Sequence, residues 1–236
     1  MIWLWLIGFN YLAGAEAPSV VTGRVELRDS RELSVRKGSD YSGVIVSLEP
    51  VRRAAPSGST PPHARMLQKD KMFQPHLLPV EAGTAVDFPN ADPIFHNAFS
   101  SYSGQIFDVG LYPPRTSRTV RFTRPGVVRV FCNIHPTMSA VIVVLDTPYF
   151  AVTDRQGAYE ITVPQGDYIF HVYHERATEE HLRLLSHPIH VEEGHVDLPV
   201  TIISESGYLP SPHKNKYGLD YRATTDDLTV YPGVRK

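Results

Sequence analysis

The 236-residue chain has one cysteine, Cys132, so no intramolecular disulfide can form and the thiol needs another chemical reason to be there. Charge of one sign is not in excess either. With 23 Lys and Arg against 25 Asp and Glu, the chain lacks the field that would gather nucleic acid or an anionic membrane surface. Helical periodicity is confined to the stretch from Ala177 to Leu185. G-x-S-x-G, the phosphate-binding P-loop and H-E-x-x-H are all missing, and with them the usual signatures of serine hydrolases, nucleotide hydrolases and zinc proteases.

What the chain does have is 20 prolines, 12 tyrosines and short Val- and Ile-rich runs broken by Gly, Pro and Asp, a pattern that predicts all-β sandwiches. The N-terminus, Ile2 to Phe9 with Tyr11 and Leu12, is apolar and runs into Ala13-Gly14-Ala15-Glu16-Ala17. Small residues after such a run suit signal-peptidase cleavage, so residues 1–17 are expected to be a signal peptide and the mature chain to be periplasmic or secreted. The run is shorter than the roughly 20 apolar residues that cross a bilayer, which argues against a permanent anchor and for no membrane span in the mature chain. No Lys or Arg precedes it, and a first buried strand is the competing reading.

Val20 to Leu27 alternates as a half-buried strand and Gly43 to Leu48 reads as a more buried one. Residues 52–62 are polar and turn-rich, which predicts a linker. Strands then recur at Leu77–Val80, Thr84–Phe88, Ser117–Phe122, Gly126–Phe131 and Ala140–Leu145. Beyond them, Asp154-Arg155-Gln156-Gly157 between two alternating runs signals a hairpin, and Pro164-Gln165-Gly166-Asp167 a second turn before Tyr168–Tyr173.

Thr153-Asp154-x-x-Gly157-x-Tyr159 followed by Pro164-x-Gly166-x-Tyr168 resembles the carboxypeptidase regulatory-like, transthyretin-like β-sandwich, whose first strands are of the G-x-V and G-V-x-V-x-L type. Gly23-Arg24-Val25 and Gly43-Val44-Ile45-Val46-Ser47-Leu48 supply both before residue 50. The resemblance implies a discontinuous domain, residues 20–51 plus 149–203, with a second sandwich over residues 63–148 inserted in one of its loops. An isolated N-terminal pair of strands would be marginal in water, which favours insertion over separate beads. Residues 204–236 read as a C-terminal tail, either loosely ordered or laid across a sandwich through its tyrosines.

The most informative run is Phe131-Cys132-Asn133-Ile134-His135-Pro136-Thr137-Met138. A thiolate, an imidazole and a thioether so close together form a soft ligand set, and two His, a Cys and a weak axial Met make up the electron-transfer copper sites. Phe73-Gln74-Pro75 through Val80, Gly83, Val86 and Phe88-Pro89-Asn90 resembles the opening strands of the cupredoxin family, plastocyanin and amicyanin in particular. That family carries its first copper histidine in an H-N pair, here His96-Asn97, and its remaining ligands as C-x2-H-x2-M in amicyanin, here Cys132, His135 and Met138. The resemblance implies a Greek-key cupredoxin sandwich holding one type 1 copper ion. It further implies that Asn97 braces the ligand loop while its backbone N–H approaches the sulfur, and that Pro136, lacking an N–H, removes a donor near the thiolate.

Val128, Val130 and Cys132 fall on one strand face, which brings the thiolate to one pole of the sandwich. Ile134, Pro136, Pro93, Ile94, Pro113 and Pro114 are candidates for an apolar rim about His135, or else simply shape turns. His76 reads as a packed or surface residue, and His171 and His174 fall on opposite strand faces, against a second metal site. The H-x-H and H-C-H patterns of multicopper oxidases are missing, as is the second cysteine of a binuclear electron-entry site. The expected function is therefore a non-enzymatic one-electron carrier working with unidentified redox proteins. The alternative is a copper-binding or recognition module in which copper is structural, stored or sensed.

Overall fold

The computed structural model describes residues 17–52, 62–101, 104–209 and 213–221. The expected signal peptide, up to residue 16, and most of the expected linker lie outside the described residues. The chain begins with β1 (Ser19–Arg28), a short helix α1 (Leu33–Arg36) and β2 (Ile45–Pro50). It continues with β3 (His63–Arg65), β4 (Leu67–Lys69), β5 (Met72–Gln74), β6 (Leu77–Glu81), β7 (Ala85–Pro89), β8 (Phe99–Ser100), β9 (Phe107–Asp108), β10 (Ser117–Arg121), β11 (Gly126–Phe131) and β12 (Ser139–Leu145). Then follow β13 (Phe150–Val152), β14 (Ala158–Val163), β15 (Gly166–Tyr173), α2 (Glu179–Leu185), β16 (His187–Val191), β17 (His195–Asp197) and β18 (Thr201–Ser204). The all-β class expected from the sequence is what the structure has.

Two hydrophobic cores form. In the first, β14-β1-β17, with β18 alongside the end of β1, faces β13-β2-β15-β16 across Val21, Val25, Val46, Leu48, Ile161 and Phe170. In the second, β10-β7-β3 and β6-β12-β11-β8-β9 enclose Phe88, Tyr112, Phe122, Val128, Val130, Cys132, Met138 and Ile142. This second core is closed between two sheets, as a β-sandwich core is.

Strand β12 explains why its sequence is apolar without alternation. Ala140, Ile142 and Val144 point into the second core, while Val141 and Val143 pack with Ile45 of β2 into a third cluster that joins the two sandwiches. A strand buried on both faces has no polar side to show. At the edge of this junction His76 Nε2 lies 2.6 Å from Glu175 Oε2, and Arg129 Nη1 lies 3.5 Å from Glu175 Oε1.

The turn at Asp154–Gly157 differs from the hairpin expected there. Its local hydrogen bonds form, with Gly157 N–H on the Asp154 carbonyl at 2.9 Å and Ala158 N–H on Asp154 Oδ1 at 2.9 Å. Yet β13 pairs with β2, whereas β14 pairs with β1, so the turn passes the chain from one sheet to the other. Thr153 makes the hand-over: its N–H donates to Val44 O, its hydroxyl donates to Tyr41 O, and the same oxygen accepts from Val44 N–H. Those bonds hold β13 on the β2 side.

Candidate metal centre

Alternation along β11 places Val128, Val130 and Cys132 in the core, all wholly buried, and the strand ends where the sulfur reaches the pole of the sandwich. The chain then turns back tightly. Met138 N–H donates to His135 O at 3.0 Å and Cys132 N–H to Met138 O at 3.1 Å, so the loop is closed by its own backbone before β12 begins. His96 arrives from the loop between β7 and β8, pinned by paired backbone bonds with Tyr112: His96 N–H to Tyr112 O at 3.2 Å and Tyr112 N–H to His96 O at 2.9 Å.

These two segments bring His96, Cys132 and His135 together, with donor atoms within 4.8 Å of one another. The Cys132 sulfur lies 3.6 Å from His135 Nδ1 and 3.9 Å from His96 Nδ1. With a metal–nitrogen distance of about 2.0 Å and a metal–sulfur distance of about 2.3 Å, a sulfur and a nitrogen donor at tetrahedral or trigonal angles stand roughly 3.5–3.7 Å apart, so the two sulfur–nitrogen distances lie close to those about a single ion. The donor chemistry, two imidazoles and a cysteine sulfur, suits copper. Met138 is wholly buried in the same core, at the far end of the ligand loop. His135 is half-buried, and Pro136 and Thr137 after it are exposed.

Electrostatics favour the ligand form of His96 and oppose that of Cys132. His96 is held below the ordinary imidazole pKa by burial, against the opposing pull of Asp92, which keeps the ring neutral and its lone pair available. Burial pushes the Cys132 thiol up, and the backbone N–H groups of Ile134, Asn97 and His135 act against that rise. A bound cation would complete the deprotonation that burial resists.

Asn97 ties the two ligand segments together. Its Nδ2 donates to Asp108 Oδ1 at 2.8 Å and to Gly110 O at 3.0 Å, while its Oδ1 accepts from the N–H of Asn133 at 3.3 Å. Of the candidate rim residues, Pro93 and Pro113 are exposed while Ile94 and Pro114 are half-buried.

Asp92 was not singled out by the sequence. Buried at 7% exposure, it accepts from His96 Nε2 at 2.7 Å and from the backbone N–H groups of Asp70 and Lys71 at 2.7 and 2.9 Å. Those two residues form the β4–β5 turn with φ of 55° and 54°, which turns both amides toward the carboxylate. The available signal was Asn90-x-Asp92, whose Asn90 Oδ1 caps Asp92 N–H at 3.0 Å, but nothing in that turn points to a histidine. The remaining histidines serve elsewhere: His174 meets Glu205 and His171 meets Ser186, and among the described residues no other cluster of three metal-ligating side chains occurs.

Over 60 residues, a quarter of this chain, the sequence is 38% identical to the methylamine utilization protein MauL of Methylorubrum extorquens. The match takes in 53% of that protein, so the chain spans about half the length of the curated relative. No family model matches. Among solved structures, a purple cupredoxin from Nitrosopumilus maritimus aligns at 21% identity over 35% of this chain and 99% of its own, with a TM-score of 0.33. The copper-containing nitrite reductase of Thermus scotoductus aligns at 24% identity over 42% of this chain and 26% of its own, with a TM-score of 0.35. An amicyanin variant in its Cu(I) form aligns at 17% identity over 35% of this chain and 82% of its own, with a TM-score of 0.34.

Proposed function

We propose that this chain is an exported type 1 copper protein that carries single electrons, with His96, Cys132 and His135 as strong ligands and Met138 as the weak axial one. The observation that supports it is the convergence of two imidazole Nδ1 atoms and the Cys132 sulfur at a buried pole, at spacings suited to one ion. Copper bound there would supply a one-electron couple. The chain's part is to hold the donors still. Asp92 orients His96, Asn97 braces the Cys132 loop, and the closed backbone from Cys132 to Met138 limits how far the shell can relax between oxidation states.

Electrons would enter at the His135 side, where the ring is half-buried next to exposed Pro136 and Thr137, a surface suited to brief docking by a redox partner. The stretch in common with a methylamine utilization protein fits such a role. We further propose that the first core, residues 20–51 plus 149–203, is a transthyretin-like sandwich that carries the copper-binding sandwich, residues 63–148, as an insertion in a periplasmic or secreted protein. The pairing of β1 with β14 and of β2 with β13 and β15 supports that division.

The test is to load the purified chain with copper and record its optical and electron paramagnetic spectra and its voltammetry. An intense thiolate-to-copper band with reversible, fast one-electron exchange is expected. A colourless protein that rejects copper would overturn the site, and a coloured but redox-sluggish one would favour copper storage or sensing.

A further inference from the structure

The segment 213–221, distant in sequence from the ligand loop, grips that loop at three consecutive positions. The His213 ring stacks on Phe131 with centroids 4.1 Å apart and planes at 23°. The Tyr221 hydroxyl donates to the Cys132 carbonyl at 2.8 Å. The backbone N–H of Lys216 donates to Asn133 Oδ1 at 3.0 Å. A fourth contact reaches the other ligand segment: Lys216 Nζ meets Asp108 Oδ2 at 2.8 Å, and the second oxygen of Asp108 accepts from Asn97, the neighbour of His96.

The segment is also organised within itself. Asn215 Oδ1 accepts from Tyr217 and Leu219 N–H at 2.9 and 3.1 Å, and Gly218, at φ 75°, makes the turn between them. Since the Tyr221 proton is given to Cys132 O, the phenol oxygen accepts from His213 Nδ1–H at 3.2 Å, so the residues on Phe131 and on Cys132 support each other. There is a reason for cover at this spot. Phe131 alternates with Val130 and Cys132 and so points away from the second core, yet it is only 4% exposed, with Phe99 and His213 as its aromatic neighbours.

We propose that residues 213–221 form a clasp that positions the end of β11 and the first residues of the ligand loop, with Tyr221 as the positioning residue for Cys132. The clasp holds the Cys132 backbone in its ligand geometry before metal arrives and opposes the opening that would expose the buried sulfur to reagents. Only its effect on copper rests on the function proposed above.

Because Cys132 is the sole thiol, its reaction rate with a disulfide reagent such as 5,5′-dithiobis(2-nitrobenzoate) in metal-free protein reads the clasp directly. A chain ending at Tyr208 is expected to react about tenfold faster or more, Tyr221→Phe about fivefold faster for one lost hydrogen bond, and a chain ending at Thr225 at the full-length rate. Tyr221→Phe is also expected to bind copper about tenfold more weakly and to shift its visible band, which a purely surface role would not do. Unchanged thiol rate and copper affinity in Tyr221→Phe would overturn the clasp, whether or not the shortened chain folds. If the full-length chain rejects copper, the proposed function fails, while the thiol rates still decide the clasp.

Discussion

Nε2 of His96 donates to Oδ2 of Asp92 across 2.7 Å, in a pocket where both side chains are nearly sealed from water. That bond fixes the tautomer: with the proton on Nε2, the Nδ1 lone pair faces the Cys132 sulfur. A carboxylate behind a ligand imidazole also raises its basicity, and here the carboxylate is itself held by two backbone amides of the β4–β5 turn.

Replacing Asp92 by Asn should therefore weaken copper binding about tenfold. An amide has one acceptor oxygen where the carboxylate has two, so its NH2 would face a backbone N–H or the imidazole N–H. Competition titration against a chelator of known affinity measures the loss, and an affinity equal to the parent's would refute the orienting role.

For Asn97→Ala, the expected outcome is a looser site that still takes copper. The substitution removes the bonds to Asp108, Gly110 and Asn133 N–H and leaves the backbone N–H near the sulfur. Voltammetry and the visible spectrum should both shift. An unchanged potential and band would contradict the bracing.

The contact between His76 and Glu175 should make stability depend on pH. The hydrogen bond that His76 donates to Glu175 raises His76 above its ordinary 6.5, and Glu175, against burial, is held below its ordinary 4.5 by His76, Arg129 and Arg176. The histidine's contribution is complete below pH 6.5 and fades as pH rises through its folded-state pKa, while the carboxylate's fades as pH falls below 4.5. His76 is half exposed, so the effect should stay under about 1 kcal/mol. Melting curves of the parent and His76→Gln should differ most near pH 6 and converge as pH rises through the folded-state pKa of His76; a constant difference would count against the pair.

Gly157→Ala should destabilise the first core by about 3 kcal/mol or more. Gly157 has φ 79°, and an added Cβ would collide with the Val25 carbonyl oxygen. Denaturant melts measure the cost. The copper spectrum of the surviving folded protein should match the parent's, since the turn lies in the other sandwich.

Much of the site was legible because metal chemistry restricts residue types. A lone cysteine, with a histidine three positions on and a methionine three beyond, leaves few bland explanations, and the strand alternation before Cys132 says which face it takes. Asp92 was illegible because acidic residues in loops are common and nothing periodic marks one that will meet a ring. The Asp154–Gly157 turn shows the same limit: its local bonds follow from Asp and Gly, but which sheet each strand joins depends on partners far away. Edge elements such as β3, β8 and β9 are too short for a period to emerge.

Local chemistry, written in the order of residues, determined the longer strands, the buried face of β11 and the short loop from Cys132 to Met138, since each depends on neighbours a few bonds away. Tertiary structure alone decided that Asp92 stands behind the His96 ring and that Tyr221 closes on the Cys132 carbonyl across 89 positions, while the meeting of His96 with Cys132 across 36 was expected only from the family resemblance. Such contacts form only once the burial of two cores has brought distant segments together, because no pair of them could offset the entropy of closing those loops on its own.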